Sequence, residues 1–293
     1  MKGTFPRRTF LYTPGSSLKM IGKAKDTRAD SIILDLEDSV SLAEKPAARE
    51  NVIKAIPLIR AVGKEIVVRV NEMNSMYGIR DVIALASAIP DALIIPKADE
   101  RSLIVADTLL TALEEELGLE KDSIKLIPLL ETARGIINAS VILNSVARIS
   151  GVQLGAEDLT KELEIDRTRD GEEISFARST LVLAGRACEI DIIDTPFTSI
   201  KDLDGLAADA KTAKAIGFTG KTCIHPDQID TINQIYSPSE ESVQQAKNLI
   251  AALEAKIREG KGACMFEGKM IDAPIAERAQ KLIQKANRIN SNI

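Results

Sequence analysis

Short apolar runs rich in Ile, Leu and Val recur along the chain, with longer amphipathic stretches between them. In order, the runs are Thr9–Thr13, Ser31–Leu36, Glu65–Val70, Ala92–Pro96, Lys125–Leu130, Val152–Gly155, Asp191–Asp194 and Gly220–Ile224. Their near-continuous apolar character predicts strands covered on both faces, as in a parallel sheet. The segments Ser16–Arg28, Lys45–Val62, Ile79–Ala88, Glu100–Leu117, Ala133–Val146, Ser175–Cys188 and Leu203–Ile216 carry apolar residues at spacings of three and four, which predicts helices. Eight strands alternating with helices predict a (β/α)8 TIM barrel, since eight is the number that closes one. The rival is an open doubly wound sheet, which needs a glycine-rich phosphate loop after its first strand. Thr13-Pro14-Gly15-Ser16-Ser17 lacks that glycine spacing, so the barrel is favoured.

After the eighth run the pattern changes. Pro238–Gly260 reads as a polar-capped helix, and Gly260–Gly262 breaks it. A hairpin-like piece, Ala263–Ile271, turns at Glu267-Gly268, and a last helix follows over Pro274–Asn290. The expected organisation is a catalytic barrel over residues 1–235 and a C-terminal helical or lid extension over 236–293, packed on the barrel or on a neighbouring subunit.

Composition narrows the function. The net charge of −5 gives no electrostatic reason to bind nucleic acid or an anionic membrane. There is no Trp, and aromatic residues make up 3% of the chain, which removes base-stacking platforms. Cys188, Cys223 and Cys264 are odd in number and widely spaced, which fits a reducing cytoplasm and no disulfide framework or zinc site. The basic start, Met1 to Thr9, is not followed by an apolar run of signal-peptide type, and no stretch reaches the length of a membrane span.

The chemistry of such barrels lies at the carboxyl ends of the strands. Here those ends are polar: Asp35-Leu36-Glu37-Asp38, Arg69-Val70-Asn71, Pro96-Lys97, Glu131-Thr132, Glu157-Asp158, Asp194-Thr195-Pro196 and His225-Pro226. Glu131 and Asp158, on adjacent strands without His or Cys nearby, suit a hard cation such as Mg²⁺. Taken singly, each acid could equally cap the helix that follows it. Arg69 sits in an apolar strand and needs an anion, either a ligand or a salt bridge to Glu37 or Glu131. Lys97 has the same two readings. Lys45 and Arg49, four apart on a helix, read by default as a solvated face, and Ser16 and Ser17 as helix caps. His225, the one histidine, is either an ordered structural residue or a ligand contact.

These motifs together resemble the citrate lyase β-subunit family, including stand-alone citramalyl-CoA and malyl-CoA lyases, within the wider HpcH/HpaI aldolase group. The matching segments include Arg8-Thr-Phe-Leu-Tyr-Thr-Pro-Gly15, Ala29 to Val40, Glu44-Lys45 with Arg49, Val68-Arg69-Val-Asn71, Pro96-Lys97, Glu131-Thr-Ala-Arg-Gly135, Leu154-Gly-Ala-Glu-Asp158, Arg167 to Gly171, Gly220 to Pro226 and Gly268 to Pro274. They run in order over nearly the whole chain. The resemblance implies a barrel assembled as a homotrimer or hexamer, with Mg²⁺ (or Mn²⁺) held by Glu131 and Asp158. It implies that Arg69 holds the acyl carbonyl or enolate oxygen, and that Lys45, Arg49, Lys97, Glu37, Asp38 and His225 contribute to substrate or CoA binding. Asp272 is implied as the general acid/base, reaching the barrel of an adjacent subunit. His225-Pro226 stands where β subunits of the multi-subunit complex often have Asn-Pro, a feature more like the stand-alone lyases.

The implied reaction is a reversible Claisen-type cleavage of a 3-hydroxy-3-carboxyl acyl thioester, on CoA or an acyl carrier protein, into an acetyl thioester and a 2-keto acid. Three alternatives use the same residues. One is a malyl-CoA-type thioesterase. Another is a carrier-protein-binding subunit acting with citrate lyase α and γ subunits. The last is a Schiff-base aldolase with Lys97 as nucleophile, which leaves the carboxylate pair without a purpose.

Overall fold

The computed structural model describes residues 5–258 and 263–291. The helix break expected at Gly260–Gly262 lies outside those residues, as do Met1–Thr4 of the basic start. The chain divides into two compact units, one over Arg7–Ile235 and the other from Tyr236 onward.

The first unit alternates β1 (Thr9–Pro14), α1 (Leu18–Ala24), β2 (Ser31–Asp35), α2 (Lys45–Arg60), β3 (Glu65–Arg69), α3 (Met76–Ala86), β4 (Ala92–Ile95), α4 (Glu100–Glu116) and β5 (Lys125–Leu130). It continues with α5 (Ala133–Ile137), α6 (Ala139–Leu143), β6 (Gly151–Leu154), α7 (Ala156–Glu162), α8 (Ser175–Ala187), β7 (Asp191–Asp194), α9 (Leu203–Ile216), β8 (Gly220–Cys223) and α10 (Ile229–Tyr236). All eight strands are parallel, and β1 pairs with both β2 and β8, so the sheet closes. The expected barrel is the observed one.

Closure follows from the side chains the strands bury. Phe10, Ile33, Val67, Ile94, Ile127 and Ile193 point inward and fill the lumen as a packed core rather than a pore. Two buried charged groups flank that core. At the amino ends of the strands Arg7 is buried and spans Glu65 (2.6 Å) and Asp191 (3.3 Å). On the outer side of the sheet, against α8 and α9, Asp194 lies 2.8 Å from Arg178 and 2.6 Å from Lys221, and Asp209 completes the group. A buried ion needs such partners, because desolvation would otherwise force it neutral.

Two local expectations are corrected. The helix expected over Ala133–Val146 is broken into α5 and α6 at Asn138, whose side chain donates to the Arg134 carbonyl and competes with the backbone ladder. Asp158 does not end a strand. It lies in the first turn of α7, a short helix that directly follows β6.

In the second unit, α11 (Glu240–Arg258) packs on α12 (Ala273–Asn290), burying Ala246, Leu253, Ala279, Ala286 and Ile289. Between them β9 (Cys264–Phe266) and β10 (Lys269–Ile271) form an antiparallel hairpin. Its two-residue turn, Glu267-Gly268, has both φ values positive, the geometry that matches strand twist.

Candidate active site

The site is assembled at the carboxyl ends of β1 to β7. The β2–β3 register sets Asp35 opposite Arg69. Arg69 forks onto Asp35, with Nε to Oδ1 at 2.7 Å and Nη2 to Oδ2 at 2.8 Å. Its remaining nitrogen, Nη1, lies 3.0 Å from Glu37 and 3.5 Å from Asp38. The Tyr12 ring sits 4.9 Å from the guanidinium, within cation–π range. Asp35 also accepts from the backbone N–H groups of Glu37 and Ser39, which folds the β2 loop over the site. Burial raises the Asp35 pKa, but the Arg69 bonds and charge outweigh it and hold it below its ordinary value. The ion-pair alternative for Arg69 thus holds for Glu37, while its principal partner, Asp35, was not anticipated.

Glu131 follows β5 and is buried. Its Oε1 accepts from the Lys97 backbone N–H at 2.8 Å. That N–H is presented by a backbone turn at Lys97 with φ +44°, a left-handed conformation uncommon for a side-chain-bearing residue. Burial, together with Glu37 and Asp158, pushes the Glu131 pKa up to about 8. Glu37 is pushed up to about 7, by burial first and then by Asp38 and Asp35, against the pull of Arg69. Gly155 makes room for Glu131: a Cβ there would lie 2.6 Å from Glu131 Oε2.

Glu131 and Asp158 line one cavity of about 400 Å³ together with Tyr12, Asp35, Arg69 and Gln153. Among the described residues no cluster of three or more His, Cys, Asp or Glu is arranged to hold an ion. A pair of carboxylates, one buried and reluctant to ionise alone, fits a hard cation whose other ligands come from substrate and water.

Glu37, Lys45, Lys97, Asn71 and Glu72 line a second cavity of about 450 Å³, and Asp38 lines both. Lys97 pairs with Glu72, and that hydrogen bond raises its pKa. Lys45 overturns the solvated-face reading. It is buried, and its ammonium donates to the carbonyls of Leu36 (2.9 Å) and Glu37 (3.0 Å), because the first turn of α2 packs under the β2 loop. Arg49 is likewise held, at 2.7 Å from the buried Asp81, and lines neither cavity. His225 caps the 3₁₀ turn Pro226–Gln228, accepting from Asp227, and lines neither cavity. Of Ser16 and Ser17, Ser17 caps α1, accepting from the Met20 N–H. Asp272 is exposed in the second unit and caps α12, accepting from Ile275 at 3.3 Å.

Sequence reasoning did not single out Tyr12 or Gln153. Tyr12 has a weak sequence signal, lying two residues beyond the inward Phe10 and so on the same side of its strand. Gln153 has a clearer one, a lone amide within the apolar run Gly151–Leu154.

Residues 8–226 match the HpcH/HpaI aldolase/citrate lyase family, and the chain belongs to it. It is 36% identical over 282 residues to the citrate lyase subunit beta of Leuconostoc mesenteroides subsp. cremoris, covering 96% of this chain and 93% of that one. It is 34% identical over 286 residues to a (3S)-malyl-CoA thioesterase of Cereibacter sphaeroides, covering 97% and 96%. Its fold is similar to that of the protein CitE from Mycobacterium tuberculosis in complex with magnesium, acetoacetate and coenzyme A, with TM-score 0.74, 32% identity and coverage of 96% and 98%.

Proposed function

We propose that this chain is a Mg²⁺-dependent carbon–carbon lyase that splits a 3-hydroxy-3-carboxyl acyl thioester into an acetyl thioester and a 2-keto acid, or joins them. The observation that carries the reading is the Glu131–Asp158 pair facing the same cavity as Arg69. Glu131 and Asp158 would hold the cation, which would supply Lewis-acid polarisation and a template for the substrate. Arg69 faces the thioester oxygen, where negative charge develops as the bond breaks. Asp35 holds Nε and Nη2 and so fixes the plane of the fork, while Nη1 lies beside Glu37 and Asp38. Glu37, Asp38, Lys45 and Lys97 line the entrance, where Lys97 draws in the anionic end of the thioester and Lys45 pins the β2 loop. Asp272, supplied by a neighbouring subunit, gives the acetyl carbon its proton in cleavage and removes it in synthesis. Arg49 and His225 support the site through Asp81 and the β8 loop rather than by contact with substrate.

A homotrimer or hexamer agrees with the apolar side chains left on the outer face: Ile137, Phe176 and Leu183 on α5 and α8 are each about three-quarters exposed. Among the described residues no helix is long and apolar enough to cross a membrane, and the free thiols Cys188 and Cys223 agree with a cytoplasmic setting.

The test is to incubate the purified protein and Mg²⁺ with citryl-, citramalyl- and malyl-CoA, following keto acid and free thiol. Keto-acid release is the expected result. Thiol release without keto acid identifies the thioesterase, the reading supported by the 34% identity to the Cereibacter protein. Turnover only with carrier-protein thioesters and added α and γ subunits identifies the complex-bound β subunit.

A further inference from the structure

Asp158 and Glu131 are held in different ways. Glu131 directly follows β5, and its carboxylate is bonded to the Lys97 backbone. Asp158 stands in the first turn of α7, a helix of seven residues whose N-cap, Gly155, offers no side-chain cap. A helix that short has little stability of its own in water, so its place is set by what it touches.

The two ends of α7 are tied to neighbouring strand ends. At the start, the Ala156 N–H donates to the Thr195 hydroxyl oxygen at 3.2 Å, and Thr195, which directly follows β7, is fully buried. At the other end, the Glu162 carboxylate accepts at 2.8 Å from the Ala133 N–H, two residues beyond Glu131. The Arg167–Gly171 segment adds a third contact, Arg167 Nε to Glu157 Oε1 at 2.9 Å. That pair is the weaker hold, because the Glu157 side chain is 54% exposed. A Cβ on Gly155 would meet the Glu131 side chain, so this side of the first turn faces Glu131. Asp158 lies three residues further on and therefore on the same side of the helix.

We propose that Thr195 and Glu162 are positioning residues that pin the two ends of α7 and thereby set the Asp158 carboxylate against Glu131. The proposal rests on the metal-dependent reading of the site and names what holds the second of its two carboxylates in place. The requirement is for an oxygen acceptor at each end, not for charge. Valine at position 195 leaves the buried Ala156 N–H without an acceptor, whereas serine keeps one. Alanine at position 162 releases the last turn from the β5 segment, whereas glutamine keeps an oxygen to accept from Ala133.

The test is calorimetric titration of Mg²⁺ into the full-length protein and into Thr195→Val, Thr195→Ser, Glu162→Ala and Glu162→Gln. Loss of a group that orients a metal ligand costs about 10- to 100-fold in affinity, so the Val and Ala variants should each bind Mg²⁺ at least tenfold more weakly, and the Ser and Gln variants within about threefold of the unaltered protein. Water-proton relaxation with Mn²⁺ in place of Mg²⁺ should show an additional bound water in the Val and Ala variants, where Asp158 no longer reaches the ion. A merely structural role would lower the melting temperature without changing the ion's coordination. Glu162 is exposed, so its pair of variants decides if Thr195→Val does not fold. Val and Ala variants that bind Mg²⁺ as the unaltered protein does, or Ser and Gln variants that lose as much as they do, overturn the proposal and leave the lyase reading standing. An unaltered protein that binds no Mg²⁺ overturns both.

Discussion

Arg69 forks onto Asp35 with two bonds under 3 Å at the mouth of the barrel between β2 and β3, where Asp35 is buried and Arg69 partly buried. Burial disfavours the charged guanidinium, yet Tyr12, Asp35 and Glu37 outweigh it, and the Arg69 pKa stands well above the ordinary value. A cation fixed so firmly has one geometry, and preorganised charge is what stabilises a developing oxyanion without reorganisation. Lysine at this position keeps the charge and loses the fork. Arg69→Lys is expected to lower kcat by roughly 100- to 1000-fold, the range for loss of one oxyanion donor, with a smaller change in KM. Steady-state kinetics decide it: a raised KM with unchanged kcat would reduce Arg69 to a binding residue.

Removing the metal tests the carboxylate pair. Dialysis against a chelator should abolish turnover, and added Mg²⁺ should restore it. Glu131→Ala and Asp158→Ala should each remain folded by circular dichroism and show no Mg²⁺-dependent turnover. Full activity in metal-free buffer would remove the metal from the reaction.

The barrel was legible in the chain because its strands are apolar throughout and its helices amphipathic, and two of the eight strands, Lys125–Leu130 and Asp191–Asp194, were read with their observed bounds. Short helices were less visible. The seven residues of α7 lack the length for an apolar stripe, so Asp158 was read as the end of a strand. Pairing across the barrel was harder still. Asp35 with Arg69, Lys45 under the β2 loop and Gln153 on Tyr12 depend on register and closure, which a linear pattern does not carry. The proton-transfer role proposed for Asp272 rests only on resemblance, since periodicity says nothing about which subunit a segment serves.

Gly155 gives a separate handle on the proposed metal site. A methyl there would lie 2.6 Å from both Glu131 Cβ and Oε2, so one of the two must move. Gly155→Ala is expected to cost about 1–3 kcal/mol of stability, as overpacking does. It should also weaken Mg²⁺ binding in calorimetry, by displacing Glu131 without removing it. A variant with unchanged Mg²⁺ affinity would mean that Glu131 has room to retreat and is not held for the ion.

The buried group around Asp194 predicts an acid limit to stability. Burial raises the Asp194 pKa, but Lys221 and Arg178 overcome it and hold it below the ordinary 3.8. The unfolded chain therefore takes up this proton first as the pH falls. The stabilisation is present in full above about pH 4 and is lost as the pH drops through the depressed folded value. Asp194→Asn should cost about 3–5 kcal/mol near neutrality by leaving buried cations underpaired. Melting temperatures measured from pH 7 to pH 2 should converge for the two proteins at the acid end. A gap that stays constant across that range would assign the loss to packing rather than charge.

The last prediction concerns the proposed sharing of the site between subunits. Asp272 is an exposed cap on α12, in the unit from Tyr236 onward, whereas Glu131 stands in the barrel unit. If the acid comes from a neighbour, Asp272→Ala and Glu131→Ala damage different halves of the site and should rescue each other. Statistical mixing of equal amounts leaves about a quarter of the sites with both halves intact, when each site draws on two chains and acts independently. Asp272→Ala also removes a helix cap, worth about 1 kcal/mol, so Asp272→Asn, which can still cap, should be run beside it. Co-expressed pairs recovering roughly a quarter of the unaltered rate, for both substitutions at Asp272, establish the shared site. No recovery in mixtures that mass spectrometry confirms have exchanged subunits would mean that Asp272 serves its own barrel or takes no part in the proton transfer.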